Sequence, residues 1–580
     1  MRALGACACI ACWSWVAFAQ AQPHAPEHPS GWTDKQPVTA RHWMVAAANP
    51  HAVDAGYRVL QQGGSAVDAA IAVQLVLGLV EPQSSGLGGG AFMLVHDAKS
   101  GKLIAYDGRE TAPAAAQPDR FLKNAQPLDF YDAVLGGRSV GVPGVVRLLE
   151  AAHRQHGRMP WRRLFEPAIA LAESGFAMSP RLHALLARER YISQPRLRAY
   201  FYDANGKVLP VGTVLRNRDY AKTLRAIANG GADAFYSGEI ARDIVATVTQ
   251  HTWNPGDITL RDLADYKVVA REPVCDTYRA YRVCGMPLPS SGGITVLQIL
   301  KMLEPYDMAA MGAASFWSVH FVSEAGRLAF ADRGVYEADP AYYTPPQGLL
   351  DAAYLRARAE LIRPDTSLRR AEPGTPPESA GESRKAARGA DASLELPSTS
   401  HVSIVDRYGN AVAMTTSIED QFGSRLMTAG GFILNNELTD FSFEPTMDGK
   451  VVANRVQGGK RPRSSMAPTI AYDRFGRVAI VTGSPGGSSI INYVAKTLLA
   501  IIDWNLDAQA ATALPNFGSR NGPTELEADT DVAALAPKLR ALGADVAVVE
   551  LTSGTQVIVR TANGWVGGAD PRREGVVRGQ

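Results

Sequence analysis

Cysteine is scarce and unevenly placed: of five in 580 residues, Cys7, Cys9 and Cys12 lie within the first dozen positions. Past residue 21 only Cys275 and Cys284 remain, and without a Cys-x-x-Cys pair there a zinc site is not supported. An excess of one charge sign is also missing. Lys and Arg number 59 against 57 Asp and Glu, a formal net charge of +2, so no global field draws the chain to nucleic acid or anionic lipid. A membrane span would need about 20 apolar residues, and neither the run from Ala3 to Ala19 nor the one from Ala66 to Val80 reaches that length. What is present is a globular composition, 46% hydrophobic and 20% charged, long enough for several domains or one large multilayer domain.

Met1 and Arg2 followed by a short apolar run, with small Ala19 and Ala21 framing a cleavage point before Gln22, read as a signal peptide over residues 1–21. That predicts a secreted or periplasmic protein. In PVCDTYRAYRVCG the alternation of apolar and polar residues suggests a β-hairpin. A turn at Arg279-Ala280 sets Tyr278 opposite Tyr281 and Cys275 opposite Cys284, within reach of a disulfide if they form a non-hydrogen-bonded pair. Arg-Ala is not a preferred tight-turn pair, so a bridge and two free thiols both stand.

Along the chain, residues 51–80 read as two helices, the first ended by Gly63-Gly64 and the second capped by Ser65 with Asp68 three residues on. A Gly-rich loop, SSGLGGGAFMLVHD, then leads into a strand. Its Gly86 to Ala91 matches the dinucleotide fingerprint as a string, but that fingerprint follows a strand and opens a helix, the reverse of the order here. Helical patterns dominate from about 140 to 260 and again at 313–333. One of them carries His153 and His156, a spacing open to metal ligation but without a third ligand nearby. From Ala371 to Ser393 there is no Val, Ile, Leu, Met or aromatic residue, so a mobile linker is expected over about 365–398. A strand, turn (Asp406 to Asn410) and strand follow. Beyond lie a strand near Arg477 to Thr482, the loop GSPGGSS, a helix from Ile490 to Asp503, a helix near 532–542 and strands VAVVEL and QVIVR.

Two nucleophiles are candidates. Ser139, in Gly137-Arg138-Ser139-Val140-Gly141, matches the serine-hydrolase elbow as a string but lacks a firm strand before it. Thr399 stands where the linker meets a strand. A cut before it would expose an α-amine of pKa near 7.7–8.0 to act as its base, although this reasoning does not separate Thr399 from Ser398 and Ser400.

The chain from about residue 40 onward resembles the γ-glutamyltransferases (γ-glutamyltranspeptidases, glutathione hydrolases) of the N-terminal nucleophile hydrolase superfamily. The resemblance is carried by GGSAVDAAIA, GLGGGAFMLV, DGRETAP, SVGVPG, PSSGGI, TSHVSIVDRYGNAVAMT, LNNELTDFS, KRPRSSMAPTI and GSPGGS. It implies an α/β fold, a four-layer αββα sandwich, made from one precursor cut between Ser398 and Thr399. The pieces would be a large subunit (residues 22–398) and a small one (399–580), joined as a heterodimer. It further implies that Thr399 attacks the γ-carbonyl of a γ-glutamyl donor and that water or an amino-acid or peptide acceptor releases the acyl group. Gly486 and Gly487 match the oxyanion-hole glycines. Arg109, Ser464 and Ser465 match the partners of the donor's α-carboxylate, and Glu437 and Asp440 those of its α-ammonium. No metal or organic cofactor is implied.

The pattern departs from the family at three points. Ser417 holds a hydroxyl position and should bond Thr399. Glu419 stands where Asn is common, which adds a carboxylate near the donor's ammonium or else pairs with Arg425 or Arg461. Residues 441–461 contain no Tyr and look shorter than the family's lid, which would open the pocket to bulkier acyl groups. A glutaryl-cephalosporin-type acylase and a poly-γ-glutamate hydrolase therefore stand as alternatives, with a serine hydrolase using Ser139 further off.

Overall fold

A computed structural model describes residues 30–377, 388–391, 393–396 and 398–580. The expected signal peptide, residues 1–21, and part of the expected linker lie outside the described residues.

Two antiparallel seven-stranded sheets stack face to face. The first runs in the order Val576–Gly579, Met44–Ala47, Thr399–Val405, Ala411–Ser417, Gly90–Asp97, Lys102–Gly108 and Val269–Arg271. The second runs Val38–Ala40, Gly564–Ala569, Gln556–Thr561, Val478–Gly483, Thr469–Tyr472, Tyr281–Gly285 and Val274–Tyr278. Strand residues alternate between faces, and both faces of the first sheet are buried. Met93, Val95, Val402, Ile404, Val412 and Met414 join a core under helices Pro50–Gln61, Ala66–Val80 and Val145–His156. Phe92, Leu94, Val405, Ala411 and Ala413 face the second sheet, whose far side carries helices Gly292–Leu303, Phe316–Tyr336 and Ile490–Ile502. The result is the four-layer αββα sandwich.

Local chemistry sets these elements. Ser65 and Asp68 form a reciprocal capping box on helix Ala66–Val80, which is buried on every face and sits under the central strands. Strands Thr399–Val405 and Ala411–Ser417 are joined by the turn read from Asp406 to Asn410, and Asp406 accepts from the backbone N–H of Tyr408 and Asn410. The hairpin at 274–285 has Tyr278 opposite Tyr281 and Cys275 opposite Cys284, and a disulfide joins the two cysteines. Arg279 takes the positive φ (53°) that this turn needs without a glycine.

Each sheet interleaves strands from both sides of the Ser398–Thr399 bond, seven strands coming before it and seven after. Among the described residues no helix is long and apolar enough to cross a membrane.

Candidate functional site

Thr399 is the first residue of a central strand, and the odd-numbered positions of that strand point between the sheets: the His401 ring packs on Gly483, and Ser403 donates to the Gln556 carbonyl. Register pairs Thr399 with Ser417, the last residue of the neighbouring strand, so both hydroxyls share one face. Ser417 Oγ lies 2.8 Å from the Ser398 carbonyl oxygen and 3.2 Å from Thr399 Oγ1. A serine has one hydroxyl proton; with that proton on the Ser398 carbonyl, Thr399 is the donor in the second contact. The Glu419 backbone N–H also donates to Ser417 Oγ, at 2.9 Å, which fixes the rotamer. Gly89 explains part of the Gly-rich loop: a Cβ there would sit 2.1 Å from the Ser417 carbonyl oxygen, so the loop can lie against this strand end only as glycine.

Thr399 and Ser417 line a cleft together with Arg109, Glu395, Leu396, Glu419, Glu437, Asp440, Ser464, Ser465 and Gly487. Arg109 follows strand Lys102–Gly108. Its guanidinium donates to the carboxylates of Glu437 and Asp440 and to the carbonyls of Pro462 and Arg463. Glu437 and Asp440 occupy a short 3-10 turn, held by Asn435, whose side chain accepts from the Glu437 N–H and donates to the Gly88 and Gly141 carbonyls. Ser464 and Ser465 sit in the loop before strand Thr469–Tyr472; the Ser464 N–H donates to the Pro289 carbonyl, and the Ser464 carbonyl accepts from the backbone N–H and the hydroxyl of Ser291. Gly487 opens the turn that leads into helix Ile490–Ile502, and a Cβ on it would collide with the Glu395 and Leu396 carbonyls. Gly486 (φ 137°) lies against the Tyr493 ring.

The electrostatics follow from burial. Arg109 is buried, which works against its charge, but Glu437 and Asp440 outweigh that and hold it protonated. Glu437 and Asp440 bond this guanidinium, buried Glu110 acts on it, and buried Glu419, itself acted on by Asp440 and Glu437, completes a group of four carboxyls. Burial first and mutual repulsion second keep Glu110, Glu419 and Asp440 well above the usual carboxylate range. A carboxyl kept neutral in this way must lose its proton before it can pair with an ammonium. Glu419 pairs with neither Arg425 nor Arg461: its carboxyl accepts from the Leu396 N–H (3.1 Å) and from the Asn436 amide. Arg425 instead bonds Asp420 and Glu189, and Arg461 bonds Asp107.

The other sequence candidates fall elsewhere. Ser139 is fully buried, and its hydroxyl donates to the Val134 carbonyl at 2.5 Å, so it is a structural pin. His153 contacts the Met159 carbonyl (2.9 Å) and His156 the Tyr106 hydroxyl (3.0 Å); no metal-holding cluster occurs among the described residues. Gly86 to Ala91 enter a strand, as the order of elements required.

Sequence reasoning missed four participants: Glu395, Arg333, Arg463 and Asn436. Glu395 bonds Arg333 and Ser465, and Arg463 lies 3.5 Å away. Within the expected linker, residues 378–387, Ala392 and Pro397 lie outside the described residues. The described remainder is anchored: Asp391 bonds Arg463 (2.7 Å) and Asn454 (2.9 Å), and the Gly389 N–H donates to the Val451 carbonyl. A composition rule that counts apolar residues does not see acids that dock on buried arginines.

The family described as Gamma-glutamyltranspeptidase matches residues 52–580. The chain is 37% identical over 490 residues to the glutathione hydrolase proenzyme of Bacillus subtilis (strain 168), covering 83% of this chain and 81% of that one. It is 37% identical over 568 residues to the glutathione hydrolase proenzyme of Escherichia coli (strain K12), covering 96% and 95%. A solved structure of a cephalosporin acylase from Bacillus halodurans superposes with a TM-score of 0.81 at 26% identity, over 97% of this chain and 98% of that one. Fold, cleft and sequence agree, and this chain belongs to the γ-glutamyltranspeptidase family.

Proposed function

We propose that this enzyme transfers and hydrolyses γ-glutamyl groups, glutathione among its donors, through an acyl-enzyme on Thr399 after cutting its own chain before that residue. The observation that carries the reading is the bridge from Thr399 Oγ1 through Ser417 Oγ to the Ser398 carbonyl oxygen.

In the cut, Thr399 Oγ1 attacks the Ser398 carbonyl carbon. Ser417 donates to the oxygen on which negative charge develops and receives the Thr399 proton. The C–N bond breaks, the Thr399 amine takes up a proton, and water hydrolyses the remaining ester to leave a carboxylate on Ser398. The freed α-amine then serves as base for Thr399 in turnover. Gly486 and Gly487 supply backbone donors to the oxyanion of the donor's γ-carbonyl. Because both sheets contain strands from each side of the cut, the large and small pieces stay together as a heterodimer. The leader at residues 1–21 fits an exported, secreted or periplasmic protein.

A cleft with several carboxyls suits a donor that carries an ammonium: Glu419, Glu437 and Asp440 receive it, and Arg109 with Ser464 and Ser465 faces the α-carboxylate. A glutaryl group lacks the amine. This favours γ-glutamyl donors over the acylase reading, which the likeness to the cephalosporin acylase and the Tyr-free stretch 441–461 keep as the second. Turnover of γ-glutamyl-p-nitroanilide well above glutaryl-p-nitroanilide, abolished in Thr399→Ala, supports the first reading. The reverse preference supports the second.

A further inference from the structure

Lys496 sits in the middle of helix Ile490–Ile502, the helix that follows Gly486 and Gly487, and it is buried. Its Nζ donates to the Leu514 carbonyl and to Asn516 Oδ1, both at 2.7 Å. Asn516 Nδ2 in turn donates to the Leu551 carbonyl and to Ser553 Oγ, both at 2.8 Å. An ammonium only donates and a carbonyl oxygen only accepts, so these two neighbours leave the amide one orientation. Ser553 accepts from that amide and donates to Asp570. Three residues on, Arg573 Nη1 donates to the Thr399 carbonyl at 3.0 Å. Loop 551–555 thus lies between the nucleophile and the glycine turn. The Gly554 N–H donates to Ser484 Oγ at 3.3 Å, and a Cβ on Gly554 would stand 2.7 Å from both Pro485 and Arg573.

We propose that Lys496, acting through Asn516, is the positioning residue that sets the oxyanion turn against Thr399. This rests on the γ-glutamyl reading above and adds a residue that touches neither the donor nor the reacting atoms. Thr399 starts a strand of the first sheet, whereas Gly486 and Gly487 follow strand Val478–Gly483 of the second. Their alignment is set between the sheets, and loop 551–555 bridges it through Ser484 and Pro485 on one side and Arg573 on the other. A buried ammonium is costly, and an apolar side chain of similar length would remove that cost. Burial pushes the Lys496 pKa down to about 7, Arg572 adding to the effect and Asp570 and Glu527 opposing it. What the lysine supplies is the donor that fixes the amide. Without it Asn516 Oδ1 is buried and unpaired, the amide has no set orientation, and the loop loses its anchor. The cut before Thr399 has a different requirement, since it joins neighbouring residues and its oxyanion lies on Ser417 of the same sheet. Turnover depends on the alignment between sheets and processing does not.

The test measures conversion to two fragments, and kcat and KM for γ-glutamyl-p-nitroanilide per processed chain, in wild type, Lys496→Met, Ser553→Ala and the double variant. For Lys496→Met the expected result is a loss of about 10- to 100-fold in kcat, the scale of a small misplacement caused far from the chemistry, with KM and the conversion rate each changed less than about 3-fold. An unchanged kcat overturns the assignment. So does equal slowing of turnover and conversion, which a general loosening of the fold would give. Because Ser553 is a link in the same chain of bonds, the double variant should lose no more than about 3-fold beyond Lys496→Met alone. Losses that multiply overturn the route through Asn516 and Ser553. Should Lys496→Met fail to fold, Ser553→Ala carries the test by itself: kcat is expected to fall about 3- to 10-fold with KM held, the range of one neutral hydrogen bond, and wild-type kcat overturns the proposal. Wild-type enzyme that converts to two fragments but turns over no γ-glutamyl donor sinks the γ-glutamyl reading itself, an outcome distinct from any variant's.

Discussion

Ser417 Oγ sits 2.8 Å from the carbonyl oxygen of Ser398, the residue that precedes the first strand of the catalytic half. The same atom touches Thr399 Oγ1 at 3.2 Å, so one side chain connects the attacking and the attacked groups.

Removing that hydroxyl should slow processing before it affects folding. Ser417→Ala is expected to lower the rate of conversion to two fragments by about 10²- to 10³-fold, the usual effect of losing one donor to a developing oxyanion. A time course on a denaturing gel reads it. Conversion at the wild-type rate would mean that Ser417 does not serve the cut.

Glu419 should make donor binding pH-dependent. Burial and the neighbouring Asp440, Asp420 and Glu437 raise its pKa well above the usual range, so it is protonated at low pH and becomes an ammonium partner as pH rises. KM for γ-glutamyl-p-nitroanilide is expected to fall with rising pH in the wild type and to do so less steeply in Glu419→Gln. Parallel profiles would remove Glu419 from the ammonium site.

His401 gives stability an acid limit. Its ring is buried between Thr415 Oγ1 (2.8 Å) and Ser403 Oγ (3.1 Å), and burial pushes its pKa down to about 3 from 6.5. Between those values the unfolded chain binds a proton that the native one refuses, so stability falls as pH drops below 6.5, by up to about 1.4 kcal/mol per pH unit. Thermal midpoints from pH 7 to pH 5 should decline more steeply for the wild type than for His401→Gln. Equal slopes would contradict the assignment.

The Cys275–Cys284 bridge closes a short loop on an edge hairpin. Its loss in Cys275→Ser/Cys284→Ser is expected to cost about 2–3 kcal/mol by loop entropy, read as a lower thermal midpoint with processing and turnover unchanged. Loss of activity would tie the bridge to the site, whose Ser464-Ser465 loop leads into the strand paired with Tyr281–Gly285.

Much of this was legible in the sequence because it is local or periodic. The capping box at Ser65 and Asp68, the hairpin register at Tyr278 and Tyr281, and the paired strands on either side of Asp406 to Asn410 follow from rules that act within a few residues. Thr399 was not separable from Ser398 and Ser400 by such rules; family motifs singled it out, and pairing with Ser417 shows what surrounds it. The meeting of Arg333 and Ser465 on Glu395 was not legible. Arg333 lies on helix Phe316–Tyr336 and Ser465 on a loop more than a hundred residues later, and they meet Glu395 only through the packing of that helix on the second sheet. Nor does a polar, apolar-poor stretch announce that its last acids are anchored, since charge pairing across the fold leaves no period in the sequence.

The central claim is that Thr399 becomes a chain terminus and the nucleophile. Intact-mass spectrometry of the purified protein tests it most directly: the account predicts a small chain of 182 residues beginning at Thr399, absent from Thr399→Ala, which runs as one uncut chain. A single uncut wild-type chain that still turns over γ-glutamyl-p-nitroanilide, or a small chain that begins at any residue other than Thr399, would contradict it.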